Sequence, residues 1–420
     1  MEKIIRKLII ISIIFSVTQI FNIVPFGVSL YQVVLVITFG ISIVGMIQKG
    51  YIKKGLYLYF AIINFVGAVI AFFLSTNPSW ANSYFLLACM MSMYVILIPN
   101  YFEGKDLDLL GKTLIRSQYL TILLSLYSVY LFYVKGGIPS KLNFFGVLSA
   151  TVDSDAVARM QISGRLRLML PYATPSVLSV VMGICILLLL YNKNLYKPLP
   201  RYILMAIFGV VMIFTGSRTG IAGLVLIIVL RSGRTMLHNS RKAIKYMLLG
   251  LISACGLFAM VILGNEGSYI DKLIISRFSD INILTDRHFL VPIEGIIIWT
   301  RSIKNFLLGI GFGSSINMTG VFTELPPYFL NSFVTFPVER GLMGLGMDII
   351  LLMVAFIDRI KKISIFDNNR RCFITAFQFV VISNLFYELL NSYFIIILIS
   401  CCFVLECESD AEYIHNYSCV

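Results

Sequence analysis

The sequence predicts an all-α, polytopic integral membrane protein with about twelve transmembrane helices and two long outer loops. Its 420 residues are 58% hydrophobic and only 13% charged, and the mean hydropathy is +0.89. A soluble protein of this length would need a much more charged surface. Hydrophobic runs also recur between charged breaks, and the basic residues favour one side of the resulting topology.

Twelve stretches satisfy or approach the length of about 20 apolar residues that a helix needs to cross a bilayer. They cover residues 5–24, 28–47, 55–75, 80–98, 116–134, 174–191, 201–216, 219–230, 246–264, 341–357, 372–389 and 391–405. The first run follows three basic residues, and no small-residue cleavage site comes after it. We therefore expect an uncleaved first span.

The distribution of lysine and arginine predicts that both termini are cytoplasmic. With the N-terminus inside, 22 of the 34 basic residues fall on the inner side and 12 on the outer side. Every short inner loop is basic, as the positive-inside rule requires. The net charge of +13 is therefore explained by basic cytoplasmic loops, and it does not indicate a nucleic-acid site.

The spans and loops divide the chain into five parts. These are helices one to five (1–134), a first outer loop (135–173), helices six to nine (174–264), a large outer loop (265–340), and three helices with a cytoplasmic tail (341–420). The large loop mixes polar and amphipathic segments, so we expect interfacial helices in it. The loops are unequal and no internal repeat is evident, which counts against a secondary transporter.

The stretch FTGSRTG predicts an anion site at the outer hairpin between spans seven and eight. Gly216 and Gly220 permit a tight turn, and Ser217 or Thr219 can cap the next helix. The positive end of that helix would then face the same place as the guanidinium of Arg218, an arrangement that suits phosphate. The alternative is an arginine that snorkels to lipid headgroups.

A second basic motif precedes the sixth span. Arg165 and Arg167 alternate with apolar residues, and Thr174 and Pro175 are the residue types that cap and start a helix. This loop can present a guanidinium to an anion at the membrane surface. It can equally tie the chain to lipid phosphates.

The large outer loop contains Arg287 and His288, followed by Trp299 and the glycines of GIGFG. His288 is the only outward-facing histidine, and histidine can act as a general base near neutral pH. The alternative is an interfacial imidazole without a catalytic role.

Three charged residues mark the tenth span. Glu339 and Arg340 are expected at the membrane boundary, and Asp348 lies two to three turns further in. An acid within a span is a functional candidate, or else the partner of a basic residue on a neighbouring helix.

The order of these motifs resembles the superfamily of O-antigen polymerases and O-antigen ligases. The spacing of its outer arginine motif is matched from Arg167 to Pro175, with Met169 and Thr174 in place of glycine and asparagine. Its G/S-S-R-T/S-G hairpin is matched by residues 216–220. Its loop pattern of arginine, tryptophan and G-x-G-x-G is resembled by Arg287, Trp299, Gly309, Gly311 and Gly313, with a longer first spacing.

The last motif of the superfamily is matched in register by Asn331, Phe333, Glu339 and Gly341, so the resemblance covers roughly residues 160–350. Its histidine, implicated in the ligases in activating the acceptor hydroxyl, is replaced by Leu330. Leucine cannot accept a proton, so the departure favours a polymerase over a ligase.

The resemblance implies a metal-independent glycosyltransferase without a cofactor, in the bacterial inner membrane. It would polymerise undecaprenyl-diphosphate-linked oligosaccharide repeats into O-antigen or a similar polysaccharide at the periplasmic face. Its partners would be a lipid-linked donor and acceptor, membrane lipids and a chain-length regulator, but no nucleic acid. The alternatives are an O-antigen ligase and a lipid-linked oligosaccharide flippase or transporter.

The resemblance also implies roles for the residues singled out above. The leaving diphosphate would be stabilised by arginines, with Ser217 and Thr219 beside them. The candidate arginines are Arg218, Arg167, Arg287 and Arg165. Glu339 and His288 are the candidates for a general base, and no acidic cluster has metal-ligand spacing.

Overall fold

The computed structural model describes residues 2–18, 22–23, 28–50, 52–138, 141–144, 148–151, 166–172, 174–236, 287–317, 329–357, 368–385 and 387–417. These residues are predominantly helical, which confirms the predicted class. The helices are α1 (Glu2–Thr18), α2 (Leu30–Lys49), α3 (Leu56–Leu74), α4 (Pro78–Tyr101), α5 (Leu107–Val134), α6 (Pro175–Tyr191), α7 (Pro198–Phe214), α8 (Arg218–Met236), α9 (Arg287–Thr300), α10 (Ile303–Leu308), α11 (Ser332–Ala355), α12 (Asn368–Asn384) and α13 (Tyr393–Tyr417).

Besides helices, turns and irregular connections, the described residues form a small antiparallel sheet. Its strands are β1 (Asn22–Ile23), β2 (Val28–Ser29), β3 (Lys141–Phe144) and β4 (Leu148–Thr151). Their order is β2-β1-β4-β3, so a strand between α5 and α6 pairs with the connection between α1 and α2. Strands of two to four residues are too short to give a readable alternation of apolar and polar residues.

Several helices have the length and composition of membrane spans. The segments Tyr31–Lys49, Leu56–Leu74, Pro78–Tyr101 and Gly104–Val134 are long and apolar enough to cross a membrane. Shorter apolar helices cover Pro175–Tyr191, Pro198–Phe214, Leu290–Thr300 and Tyr393–Cys407. Eleven of the twelve predicted spans coincide with described helices, whereas the ninth, 246–264, lies outside the described residues.

Three helices form the centre of the bundle. α6 is buried throughout Leu178–Leu189, α12 throughout 372–381 and α13 throughout 393–406. Outer helices present large apolar side chains on their free faces, such as Phe73, Ile62 and Leu126. A helix that is apolar on all sides is either enclosed by protein or faces lipid. The central helices are enclosed by protein, and the outer helices have exposed apolar faces that suit lipid.

Polar contacts bring helix termini together at one end of the bundle. Lys49 Nζ lies 2.9 Å from Glu2 Oε2, which joins the end of α2 to the start of α1. The hydrogen bond from Lys49 lowers the pKa of the Glu2 carboxyl below its ordinary value. Asn192 Nδ2, just after α6, donates to Asp108 Oδ1 near the start of α5 at 2.7 Å. Antiparallel neighbours require such alternation of starts and ends.

α11 is bent sharply at Gly341, where φ is 59° and ψ is −137°. A Cβ on Gly344 would lie 2.0 Å from Phe336 O, so residues 332–340 fold back against the helix that follows the bend. The sequence starts the tenth span at residue 341, whereas a helical segment already begins at Ser332. Pro337 and the glycines allow this geometry, but they do not dictate it.

Candidate functional site

Two helix starts build the candidate anion site. α6 begins at Pro175, and Thr174 Oγ1 accepts a hydrogen bond from Val177 N at 3.4 Å, so the predicted cap is present. α8 begins at Arg218, directly after a turn in which Gly216 has a φ of 59°. Only glycine adopts that conformation without cost, which explains its position before the helix.

The starts of α6 and α8 are in contact. Ser217 Oγ donates to Ser176 Oγ at 3.3 Å, and Ser217 is only 3% exposed. The first backbone N–H groups of a helix have no partner within the helix, and they carry the positive end of its dipole. Two such ends therefore converge beside Arg218 and Thr219, which are half-buried in the first turn of α8.

Arg167 lies across the same turn. Its Nε donates to Thr215 O at 3.0 Å, and its Nη2 donates to Gly216 O at 3.4 Å. These carbonyls end α7, so the guanidinium caps that helix. The structure therefore brings Arg167 to the turn that leads into Ser217 and Arg218, and it gives Arg167 a structural role that the sequence did not indicate.

Other predicted site residues are placed less completely. Arg165 lies outside the described residues. Arg287 and His288 are the first two residues of α9, but their side chains lie outside the described part. Their assignment to the site therefore stays a prediction.

Glu339 is buried against the glycine turn of residues 309–313. It is 2% exposed, and its Oε1 accepts a hydrogen bond from Gly313 N at 3.1 Å. The backbone of the same turn bonds to α11, because Ile310 N donates to Val338 O at 2.9 Å and Gly311 N to Glu339 O at 3.2 Å. This geometry gives Glu339 a structural partner, and its assignment as a general base stays a prediction.

The glycines of GIGFG lie where the turn approaches the backbone of neighbouring helices closely. Gly309, Gly311 and Gly313 all have positive φ, at 81°, 89° and 61°. A Cβ on Gly311 would lie 2.5 Å from Leu74 C, at the end of α3. The turn is thus pressed between α3 and the bend of α11, and side chains larger than hydrogen would force the two apart.

A buried charged cluster lies on the other side of this bend. Arg340 is 3% exposed, and its Nη1 donates to Asn64 Oδ1 of α3 at 2.5 Å. Its guanidinium carbon lies 4.9 Å from the centre of the Phe336 ring and 5.1 Å from that of Phe312. Asn64 Nδ2 in turn donates to Ala88 O of α4 at 2.8 Å. Arg340 thereby links α11 to α3 and α4.

Three acidic side chains interact electrostatically with Arg340: Glu339, Asp348 and Glu388. Glu388 Oε2 accepts from Thr335 Oγ1 at 3.0 Å, and Asn391 Nδ2 donates to its other oxygen. Asp348 is 5% exposed, and neither carboxylate oxygen has a hydrogen-bond partner among the described residues. The sequence predicts Arg340 at the membrane boundary, and the structure shows in addition that its side chain is buried within the bundle. The polar Asn64 within an apolar span was the sequence feature that could have indicated a buried polar partner.

Replacing Gly220 with alanine should destabilise the contact between α6 and α8. Its Cβ would lie 2.1 Å from Ser179 Oγ and 3.1 Å from the Ser179 carbonyl carbon. Overpacking of this kind costs about 1–3 kcal/mol. A melting curve of the purified protein in detergent measures the loss. Gly209→Ala is the matched control, since nothing lies within 4 Å of its Cβ; equal melting temperatures for the two variants would contradict the prediction.

Two substitutions at Glu339 separate its structural role from a catalytic one. Glu339→Gln keeps an oxygen that can accept from Gly313 N, so we expect near wild-type stability. Glu339→Ala leaves that buried N–H unpaired, which costs about 1–3 kcal/mol. Melting temperatures test this difference, and equal losses would contradict it. If Glu339 is also a general base, the glutamine variant will be stable but inactive.

Among the described residues, no group of three or more histidine, cysteine, aspartate and glutamate side chains is arranged to hold a metal ion. The chain matches no protein-family model, and no curated protein is significantly similar to it.

Proposed function

We propose that this protein polymerises undecaprenyl-diphosphate-linked oligosaccharide repeats into a surface polysaccharide such as O-antigen. The observation that carries the proposal is the convergence of Arg167, Arg218 and two helix starts at one place. Guanidinium groups and helix N-termini are the groups that proteins use to bind phosphates. A lipid diphosphate is therefore the ligand class that suits the site.

The proposed reaction forms one glycosidic bond and breaks one bond to phosphate. A hydroxyl of the acceptor repeat attacks the anomeric carbon of the donor glycan, and the bond from that carbon to the diphosphate breaks. The hydroxyl proton passes to a base, for which Glu339 and His288 are the candidates. Negative charge grows on the departing diphosphate, where Arg218 and Arg167 stabilise it.

The proposed membrane arrangement has twelve spans, cytoplasmic termini and the site at the periplasmic face of the inner membrane. Two contacts support the position of the site. α6 starts at the Ser176–Ser217 contact. It is followed by Asn192, which bonds to Asp108 in the first turn of α5, between the basic residues Lys105 and Lys112. The site therefore lies at the opposite end of α6 from a predicted cytoplasmic loop.

A flippase or other transporter of the same lipid-linked glycan is the second candidate. Such a protein would carry charged residues inside the bundle. Arg340, Asp348 and Glu388 fit that expectation better than the sequence suggested, because all three are buried. The absence of a histidine at Leu330 continues to disfavour the ligase alternative.

A reconstituted reaction distinguishes these functions. Purified protein in lipid nanodiscs would be supplied with a chemically defined, diphosphate-linked repeat unit. A polymerase should release polyprenyl diphosphate and produce a ladder of chain lengths. Transfer of a single glycan to a lipid A acceptor would indicate a ligase instead. Movement of the repeat across proteoliposome membranes without new glycosidic bonds would indicate a flippase.

A further inference from the structure

The α9–α10 hairpin carries an apolar surface that no described part of the chain covers. We call it the hairpin surface and define it by Ile293, Ile296, Ile297, Ile303 and Leu307, whose exposed fractions are 53%, 48%, 59%, 79% and 45%. We propose that the hairpin surface docks into the headgroup region of the membrane and binds acidic phospholipids. This inference does not depend on the proposed reaction.

The base of the hairpin is fixed at the level where a spanning helix ends. Phe312 N donates to Ala71 O at 3.1 Å, and Ser75 Oγ donates to Phe312 O at 2.6 Å. Both contacts are at the end of α3, which is long and apolar enough to cross a membrane. The hairpin thus leaves the bundle at a membrane boundary. α9 and α10, of 14 and six residues, are too short to span a bilayer and suit an interfacial position.

The charge of the hairpin is complementary to acidic lipid. Arg301 and Lys304 are exposed at its tip, beside Ile303. The sequence from 295 to 312 contains no aspartate or glutamate, and Glu294 is 8% exposed and faces inward. Apolar side chains flanked by lysine and arginine are the combination that binds acidic membrane surfaces.

An aromatic pair stiffens the hairpin. Trp299 stacks on Phe306 with ring centres 5.1 Å apart, and Trp299 Nε1 donates to Phe306 O at 3.1 Å. Tryptophan is enriched at membrane interfaces because its ring is apolar and its N–H is polar. The pair holds α9 against α10 and thereby keeps the apolar residues of the two helices close together.

Tryptophan fluorescence tests the depth of the hairpin. The chain has two tryptophans, Trp80 and Trp299, so Trp80→Phe leaves Trp299 as the single reporter. In nanodiscs, lipids brominated near the headgroup should quench Trp299 strongly, and aqueous iodide should quench it weakly. Strong quenching by iodide with none by brominated lipid would overturn the proposal, because the surface would then be exposed to water or available to a protein partner.

Charge removal tests the preference for acidic lipid. The number of phosphatidylglycerol molecules retained by the purified protein would be counted by native mass spectrometry, in competition with phosphatidylcholine. Replacing Arg301 and Lys304 with glutamine should lower the preference for phosphatidylglycerol about fivefold for each cation removed. Lys135→Gln with Lys197→Gln removes two other exposed charges and should change it much less. An equal change in both double variants would overturn the specific role of the hairpin.

Discussion

Arg218→Ala is expected to abolish long polysaccharide chains while single repeat units are still made and displayed. Arg218 is the first residue of α8, which starts beside the start of α6 and directly after the turn that Arg167 contacts. Removing one group that stabilises charge in the transition state typically lowers the rate by about 10²–10³-fold. The measurements are the ladder of chain lengths from cells and the release of polyprenyl diphosphate by purified protein.

Controls separate the loss of a charge from the loss of the fold. Arg218→Lys keeps the charge but not the planar fork, so partial activity is expected. Arg167→Ala should also lose activity, and it should melt earlier than Arg218→Ala because Arg167 caps the carbonyls of Thr215 and Gly216. Lys135→Ala, an exposed cation elsewhere, should leave the ladder intact. A normal ladder from folded Arg218→Ala protein would remove this residue from the mechanism.

Arg340→Met is expected to give the largest loss of stability. The substitution leaves Asn64 Oδ1 without its donor and removes a cation that interacts electrostatically with Glu339, Asp348 and Glu388. Removing one partner from a buried charged group costs about 3–5 kcal/mol. Thermal melting in detergent, followed by size-exclusion chromatography, measures the loss.

A double variant tests whether this loss comes from unbalanced charge. Adding Asp348→Asn to Arg340→Met removes one buried acid, so the pair should be more stable than the sum of the single effects predicts. Arg301→Met is the matched control, since Arg301 is exposed and should change the melting temperature little. Simple additivity of the two buried substitutions would show that Arg340 and Asp348 do not interact.

Local signals explain which parts of the site were predictable. Proline after threonine fixes the start of α6, and glycine before Ser217 permits the turn that leads into α8. These preferences depend on a few neighbouring residues, so one sequence is enough to read them. The contact of Arg167 with the end of α7 spans 48 positions, and no local pattern encodes it.

The burial of Arg340, by contrast, could not be predicted from neighbouring residues. Its charge sits next to polar residues at the start of a hydrophobic run, so hydropathy places it at the membrane boundary. Its burial results from the bend at Gly341 and from contacts with Asn64 and Phe312, which are remote in sequence. Similarly, the positive φ values of the GIGFG glycines allow close packing on α3, which is distant in the chain.

The sequence by itself determined that the chain is helical, that its helices are apolar enough for a membrane, and where several of them begin. Composition, hydrophobic length and capping residues carry that information, because they act within one helix. Only the tertiary structure decided which polar groups meet: Arg167 with the turn before Arg218, Glu339 with Gly313, and Arg340 with Asn64. Those contacts depend on how whole helices pack and bend. Packing and bending are determined jointly by residues that are distant in the chain.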